Sequence, residues 1–223
     1  MTTARSKLRA WLAPAALAIA LLGATTAQAD PITGTYTTGG ATTGTGPWTL
    51  TSTDSTFSVL RFIPGTAVTF GALSSVSVNY TSTQGGAGGG APRIVFVLDG
   101  NGDTVEDHFL TAYLGTSPNF NDSVAAFNAL SGANILNNDT GRFDLSDATF
   151  GGSPFTDYTA ALAAAASMTV LRASLILDSF GGADRTLIVE GINLGSASAV
   201  PEPATLSLIG LAVFALGATR RRR

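Results

Sequence analysis

The chain contains no cysteine and only one histidine, and charged residues make up 12% of its 223 residues. Without cysteine, the chain has no disulfides, thiolate metal sites or cysteine nucleophiles. A Ser-His-Asp triad would depend on His108, and no Gly-x-Ser-x-Gly elbow is present. Asp107 precedes His108 directly, so on a strand their side chains point to opposite faces. The sequence therefore favours a surface histidine, lacks ligands for zinc, and offers no recognisable catalytic set.

Lysine is absent from the long stretch between the two chain ends, and that stretch contains only five arginines. They are Arg61, Arg93, Arg142, Arg172 and Arg185. Acidic residues, mostly aspartate, outnumber them, so this part of the chain is clearly negative. A surface of that charge repels phosphate backbones, so we expect no nucleic-acid partner.

The first 29 residues have the pattern of a secretion signal. Arg5, Lys7 and Arg9 precede an apolar run that is too short to span a membrane, where about 20 residues are needed. The run ends at Ala27-Gln28-Ala29, a small-x-small pattern that signal peptidase recognises. We expect cleavage before Asp30 rather than a retained anchor.

The C-terminal segment, residues 200–223, is equally organised. Pro201-Glu202-Pro203 precedes an apolar stretch, Ala204 to Ala218, and the chain ends in Arg220-Arg221-Arg222-Arg223. As a helix the stretch is about 22 Å long, marginal against a hydrocarbon core of about 30 Å. Terminal arginines favour a cytoplasmic C-terminus. We expect the chain to pause in the inner membrane with residues 30–199 outside; a permanent single-span anchor is the alternative.

This C-terminal order resembles the PEP-CTERM sorting signal of Gram-negative bacteria. The resemblance implies that exosortase, a membrane protease, recognises Pro201-Glu202-Pro203 and removes the tail. It also implies delivery to the cell surface or extracellular matrix. The stretch Ala91 to Asp103, with the later Tyr113-Leu114-Gly115, resembles secreted β-sandwich domains that carry this tail. That second resemblance implies an architecture and no activity.

Residues 30–199 are expected to form one mainly β domain, a jelly-roll-like β-sandwich with one short helix. Short β-rich runs alternate with turn residues, and Val76, Val78 and Tyr80 follow a period of two. Arg93 to Leu98 is nearly continuous in apolar residues, which predicts a central strand. The turn-rich spacing favours a sandwich but leaves the strand order open.

Several elements at the ends of this domain are predicted individually. Ala67 to Phe70 is predicted as a strand. Thr169 to Asp178 and Thr186 to Leu194 are predicted as a hairpin closed by Gly181-Gly182-Ala183-Asp184. The helix is predicted at Asp157 to Met168, capped by Asp157 or Thr159, with a further helical turn at Asp122 to Leu130.

Asp99-Gly100-Asn101-Gly102-Asp103 is the sharpest internal motif. Oxygen ligands at Asp99, Asn101 and Asp103 on a glycine-rich loop suit Ca²⁺, and Glu106 and Asp107 are candidates to complete the shell. The EF-hand pattern is broken, because Thr104 replaces the glycine and Leu110 replaces the bidentate glutamate. An ordinary hairpin turn is the alternative.

The function expected from these observations is a non-catalytic component of the cell surface or matrix. The alternative is a carbohydrate-binding module of the exopolysaccharide matrix, whose aromatic platform would come from residues such as Trp48 or Tyr113; core packing is the ordinary role of such residues. A glycan-active enzyme is less favoured, because no carboxylate pair stands out. Ice binding would need a flat, regular threonine array, and Thr33 to Thr56 is too irregular. The glycine-rich stretch Gln84 to Ala91 lacks the lysine and helix of a phosphate loop.

Overall fold

A computed structural model describes residues 30–38, 41–42, 46–53, 56–179 and 184–196. These residues belong to a compact unit that spans Ala29–Ala197. The signal-peptide and sorting segments, with Ala27, Ala29, Pro201–Pro203 and Arg220–Arg223, lie outside the described residues, as does the apolar C-terminal helix expected there. Within the described ranges, no helix combines the length and the apolar character that a membrane crossing requires.

The described part of the chain is mainly β, with few helices. Its strands are β1 (Asp30–Pro31), β2 (Gly34–Thr38), β3 (Ala41–Thr42), β4 (Trp48–Ser52), β5 (Phe57–Pro64), β6 (Leu73–Gln84), β7 (Arg93–Asp99), β8 (His108–Tyr113), β9 (Phe143–Asp144), β10 (Thr169–Asp178) and β11 (Arg185–Ser196). The helices are α1 (Val124–Asn128), α2 (Tyr158–Ala165) and a 3₁₀ turn at Phe70–Ala72.

The strands form two antiparallel sheets. In the four-stranded sheet, β11 pairs with β1, β4 and β6. The seven-stranded sheet has the order β3-β2-β5-β10-β7-β8-β9. The apolar strand β7 therefore lies in the interior of its sheet, as its composition predicts, because a strand with neighbours on both sides and a covered face excludes water.

One hydrophobic core draws side chains from both sheets. The four-stranded sheet contributes Leu50, Val78 and Leu187, and the seven-stranded sheet contributes Phe96 and Leu175 among others. Along β6, the predicted alternation is confirmed: Val76, Val78 and Tyr80 are buried while Ser77 and Asn79 are only half-buried. A period of two places every second side chain of such a strand on the core face.

Helix α2 begins where its capping residue predicts. The side chain of Asp157 accepts a hydrogen bond from the amide of Ala160 at 2.9 Å, which satisfies a donor that the first helical turn leaves free. Ala161 and Ala165 are the buried residues of α2. The further helical turn predicted at 122–130 is α1, and the hydroxyl of Ser123 caps it.

Two predictions of local structure are wrong. Ala67 to Phe70 forms no strand: Thr69 makes an isolated bridge to Thr169, and a 3₁₀ turn starts at Phe70. Strands β10 and β11 are not a hairpin either, because β10 pairs with β5 and β7 in one sheet while β11 belongs to the other. Each strand pairs with strands distant in sequence, so these two consecutive strands belong to different sheets.

Candidate functional site

The predicted calcium motif forms the loop between β7 and β8, which pair as a hairpin. Asp99 ends β7 and is 4% exposed. Its Oδ1 accepts hydrogen bonds from the amides of Asn101 at 3.0 Å and Gly102 at 2.7 Å, and its Oδ2 accepts from the amide of Thr104 at 2.9 Å. Asp99 thus organises the turn from its buried end.

The other polar side chains of the loop repeat this pattern. Asn101 accepts from the amide of Asp103 at 2.9 Å, and Asp103 accepts from the amide of Val105 at 2.8 Å. Thr104 has a φ of 64°, so it adopts the left-handed conformation that glycine usually supplies at the sixth position of an EF-hand loop. The missing glycine therefore has not prevented the tight turn.

Three carboxylates converge in this loop. One oxygen each from Asp99, Asp103 and Asp107 lies within 4.8 Å of the others. Asp107 also accepts a hydrogen bond from the amide of Gly100 at 2.9 Å. Glu106 lies outside this group, because it forms a bidentate ion pair with Arg172 whose second contact, Nη2 to Oε2, measures 3.0 Å. Of Glu106 and Asp107, the two candidates to complete a calcium shell, only Asp107 lies close to Asp99 and Asp103.

Hydrogen bonding keeps Asp99 ionised. The amide of Gly102 is the main cause that holds the pKa of the Asp99 carboxyl below its ordinary value. Desolvation opposes this effect, and the amides of Thr104, Asn101 and Asp103 reinforce it. A negative charge is therefore present at neutral pH in the middle of the loop. Hard oxygen ligands with this charge suit calcium, whereas ordinary turn formation explains the amide contacts equally well.

His108 does not belong to a catalytic triad among the described residues. Its ring packs on Phe150 with centroids 4.7 Å apart, and its Nδ1 is buried with no hydrogen-bond partner in the described structure. The neighbouring carboxylate of Asp107 accepts from the Gly100 amide. The ring thus serves packing beside the loop.

The glycine-rich stretch from Gln84 to Ala91 is fastened by an arginine. Arg185 is 7% exposed, and its Nη1 donates to the carbonyls of Gly86 at 3.2 Å and Ala91 at 2.8 Å. Gly86 packs so closely that an added Cβ would lie 1.8 Å from the carbonyl oxygen of Asp122. Gly86 thus allows close packing, and the carbonyls of Gly86 and Ala91 face the guanidinium of Arg185.

Most tyrosines serve packing. Tyr36 lies 4.4 Å from Trp48 between ring centroids, and its hydroxyl donates to the carbonyl of Ile192 at 2.8 Å. Tyr80 donates to the carbonyl of Phe127, and Tyr113 donates to Asp144 at 2.7 Å. Phe57, in contrast, is 69% exposed.

An open cavity of about 1040 Å³ lies beside Phe57. It is lined by Thr38, Pro47, Trp48, Thr49, Leu50, Phe57, Ser58, Val59, Arg61 and Arg172. The described lining has two aromatic rings and two guanidinium groups, and none of the ten residues is acidic. Sequence reasoning missed Phe57 and Arg61, although the alternation of β5 places both on the face opposite Leu60 and Phe62.

The C-terminal segment defines the class of protein: an exported chain that carries its own sorting signal. Residues 199–223 match the family model described as the PEP-CTERM protein-sorting motif. The chain therefore carries a PEP-CTERM sorting motif, which confirms the resemblance of its C-terminal segment. The motif implies processing by exosortase, a membrane protease, and therefore a transient membrane anchor. No curated protein and no solved structure matches the chain.

Proposed function

We propose that residues 30–199 are a non-catalytic component of the cell surface or extracellular matrix, released there after signal peptidase and exosortase act. The sorting motif at 199–223 carries this proposal, because it marks an exported chain for processing at the membrane. We also propose that the two sheets form a jelly-roll-like β-sandwich around their common core.

The arrangement of acidic groups supports a non-catalytic role. The carboxylates of Asp99, Asp103 and Asp107 accept hydrogen bonds from backbone amides of their own loop. A glycosidase needs two facing carboxylates across a substrate cleft. The described lining of the large cavity offers arginines and aromatic rings instead.

Sorting is tested by replacing Pro201-Glu202-Pro203 with three alanines in the exporting cell. We expect the variant to remain unprocessed in the inner membrane, whereas the parent protein reaches the surface with an N-terminus at Asp30 and without its tail. Ser196→Ala with Ser198→Ala, which precede the matched segment, is the control and is expected to be processed normally. Surface delivery of the triple-alanine variant in processed form would overturn the proposal.

The arginine cluster is tested in the same cells. Replacing Arg220, Arg221, Arg222 and Arg223 with glutamine removes the charge that resists translocation. We expect the tail to slip outward before processing, so that less protein is cut and more is found unprocessed outside the inner membrane. Unchanged processing of this variant would show that the apolar stretch alone provides the pause.

We further propose that the loop between β7 and β8 binds Ca²⁺ through Asp99, Asn101, Asp103 and Asp107. The observation that favours it is the approach of three carboxylate oxygens to within 4.8 Å of one another. Like charges at that separation repel, and a divalent cation removes this repulsion. Extracellular modules of this kind typically bind calcium at about 10⁻⁴ to 10⁻³ M.

A further inference from the structure

The five arginines of the domain differ in whether the described residues give them a hydrogen-bonding or ionic partner. Arg93 pairs with Asp178 and Arg172 pairs with Glu106. Arg142 pairs with Asp139, and Arg185 donates to backbone carbonyls. The guanidinium of Arg61 makes no hydrogen bond or ion pair with any residue that the structure describes. Acidic residues outnumber arginines in this domain. An arginine such as Arg61, without an acidic partner among the described residues, is therefore unexpected.

The side chain of Arg61 lies on the outer face of its sheet, where it lines a cavity. It lies on β5 between β2 and β10, opposite Thr37 and Ser174. Leu60 and Phe62 on either side point into the core, so the side chain of Arg61 leaves the outer face of the sheet. There it lines the cavity of about 1040 Å³ together with Arg172.

Aromatic rings line the same cavity. Phe57 is on the same face of β5 as Arg61 and is 69% exposed, and Trp48 on β4 also lines the cavity while its ring packs on Tyr36. Hydroxyls of Thr38, Thr49 and Ser58 complete the polar part of the lining. Flat apolar rings stack on the faces of sugar rings, while hydroxyls and guanidinium groups bond to their polar substituents.

We propose that this cavity binds a polysaccharide that carries carboxylates, with Arg61 as the anion contact and Phe57 as a stacking platform. The inference names a ligand class for the surface or matrix component proposed above and rests on that proposal. Guanidinium groups match the planar carboxylate with two parallel hydrogen bonds. Glu106 compensates the charge of Arg172, so in the described lining Arg61 supplies the positive charge that no described carboxylate compensates.

The negative charge of the domain does not exclude such a ligand. At physiological salt, charges more than about 8 Å apart are largely screened, so the groups that line the cavity dominate. Double-stranded nucleic acid carries one charge per about 1.7 Å of its axis. A uronate chain carries one carboxylate per sugar and exposes apolar ring faces between them. The cavity suits the sparser polymer, because it combines few cations with two aromatic rings.

The experiment measures binding of the purified protein to immobilised polygalacturonate, dextran and dextran sulfate. EDTA is present throughout, so that calcium does not bridge acidic groups of the protein and the polymer. We expect binding to polygalacturonate that weakens as salt is raised, and little binding to uncharged dextran. Equal binding to dextran, tighter binding to dextran sulfate, or no binding to polygalacturonate would each overturn the proposal.

Substitutions in the cavity locate the site. Arg61→Gln removes a charge-assisted hydrogen-bonding group and is expected to weaken binding about tenfold or more. Ser153→Asp is the control, because it changes net charge by the same amount at an exposed position outside the cavity. An equal loss in both variants would reduce the effect to net charge and refute an Arg61 contact.

Phe57→Ala is the second variant and is expected to weaken binding about fivefold through lost stacking. Its control is Ile63→Ala, an exposed apolar position on the same face of β5 that does not line the cavity. Unchanged binding of Phe57→Ala would refute the platform. A protein that reaches the surface in processed form but does not bind would refute this inference and leave the proposed function standing.

Discussion

Calcium should raise the thermal stability of the protein through the loop between β7 and β8. If the ion binds the folded loop alone, calcium at 100 times its dissociation constant adds about 2.7 kcal/mol to the free energy of unfolding. For a domain of this size, about 1 kcal/mol shifts the melting temperature by 2–4 °C. We therefore expect the melting temperature in saturating calcium to exceed that in EDTA by about 5–10 °C.

The choice of variant follows from the hydrogen bonds of the loop. Asp99 accepts from three amides and is buried, so its removal would damage the turn even without calcium. Asp103→Asn with Asp107→Asn removes two charges and keeps an oxygen for each amide that these side chains now bind. This double variant should lose most of the calcium-dependent shift.

Repulsion between the carboxylates also predicts the direction in which the double variant changes the melting temperature without calcium. Three carboxylates within 4.8 Å repel one another, so neutralising two should leave the melting temperature in EDTA equal to or above that of the parent. The control is Asp147→Asn, which alters a half-buried carboxylate that accepts from the amide of Thr149 in a similar turn. It should keep the full calcium shift.

Two results would refute a calcium site in this loop. One is the same melting temperature for the parent protein in EDTA and in calcium of about 10 mM or more, a range chosen from the affinity expected of extracellular modules. The other is a calcium shift that survives in the double variant. Either result would leave a hairpin turn that is held together by its own amides.

Two further predictions test the core and the tyrosines. Phe96 is fully buried, with its ring centroid 5.3 Å from that of Phe70, so Phe96→Ala should lower the free energy of unfolding by about 3–5 kcal/mol; denaturant titration measures this, and the exposed Ile63→Ala should change it by less than about 0.5 kcal/mol. Burial raises the pKa of Tyr36, Tyr80, Tyr113 and Tyr158 above the ordinary value. The folded state then keeps these phenols neutral, so their stabilisation is complete below about pH 10 and declines as the pH rises further. Melting curves between about pH 9 and pH 11 should show this decline, and tyrosinate absorbance that develops at an ordinary pKa in the folded protein would contradict it.

The sequence alone determined the features that depend on neighbouring residues. Apolar residues at every second position of β6 identified its core face, because the side chains of a strand alternate. Asp157 identified the start of α2, because its carboxylate reaches an amide three residues later. The sorting segment was also recognisable from sequence, because the motif is defined by the order of its prolines, apolar stretch and arginines along the chain.

Only the tertiary structure decided the features that depend on distant residues. Alternation fixes which face of a strand is buried, but it leaves the partner open, so β10 and β11 looked like a hairpin and lie in different sheets. The same limit hid the cavity, because Arg61 and Arg172 come from β5 and β10, two strands far apart in sequence. The pairing of Arg172 with Glu106 likewise joins residues far apart in sequence, and among the described residues no carboxylate pairs with Arg61. Contacts of that kind are set by the packing of the whole domain, which no local pattern encodes.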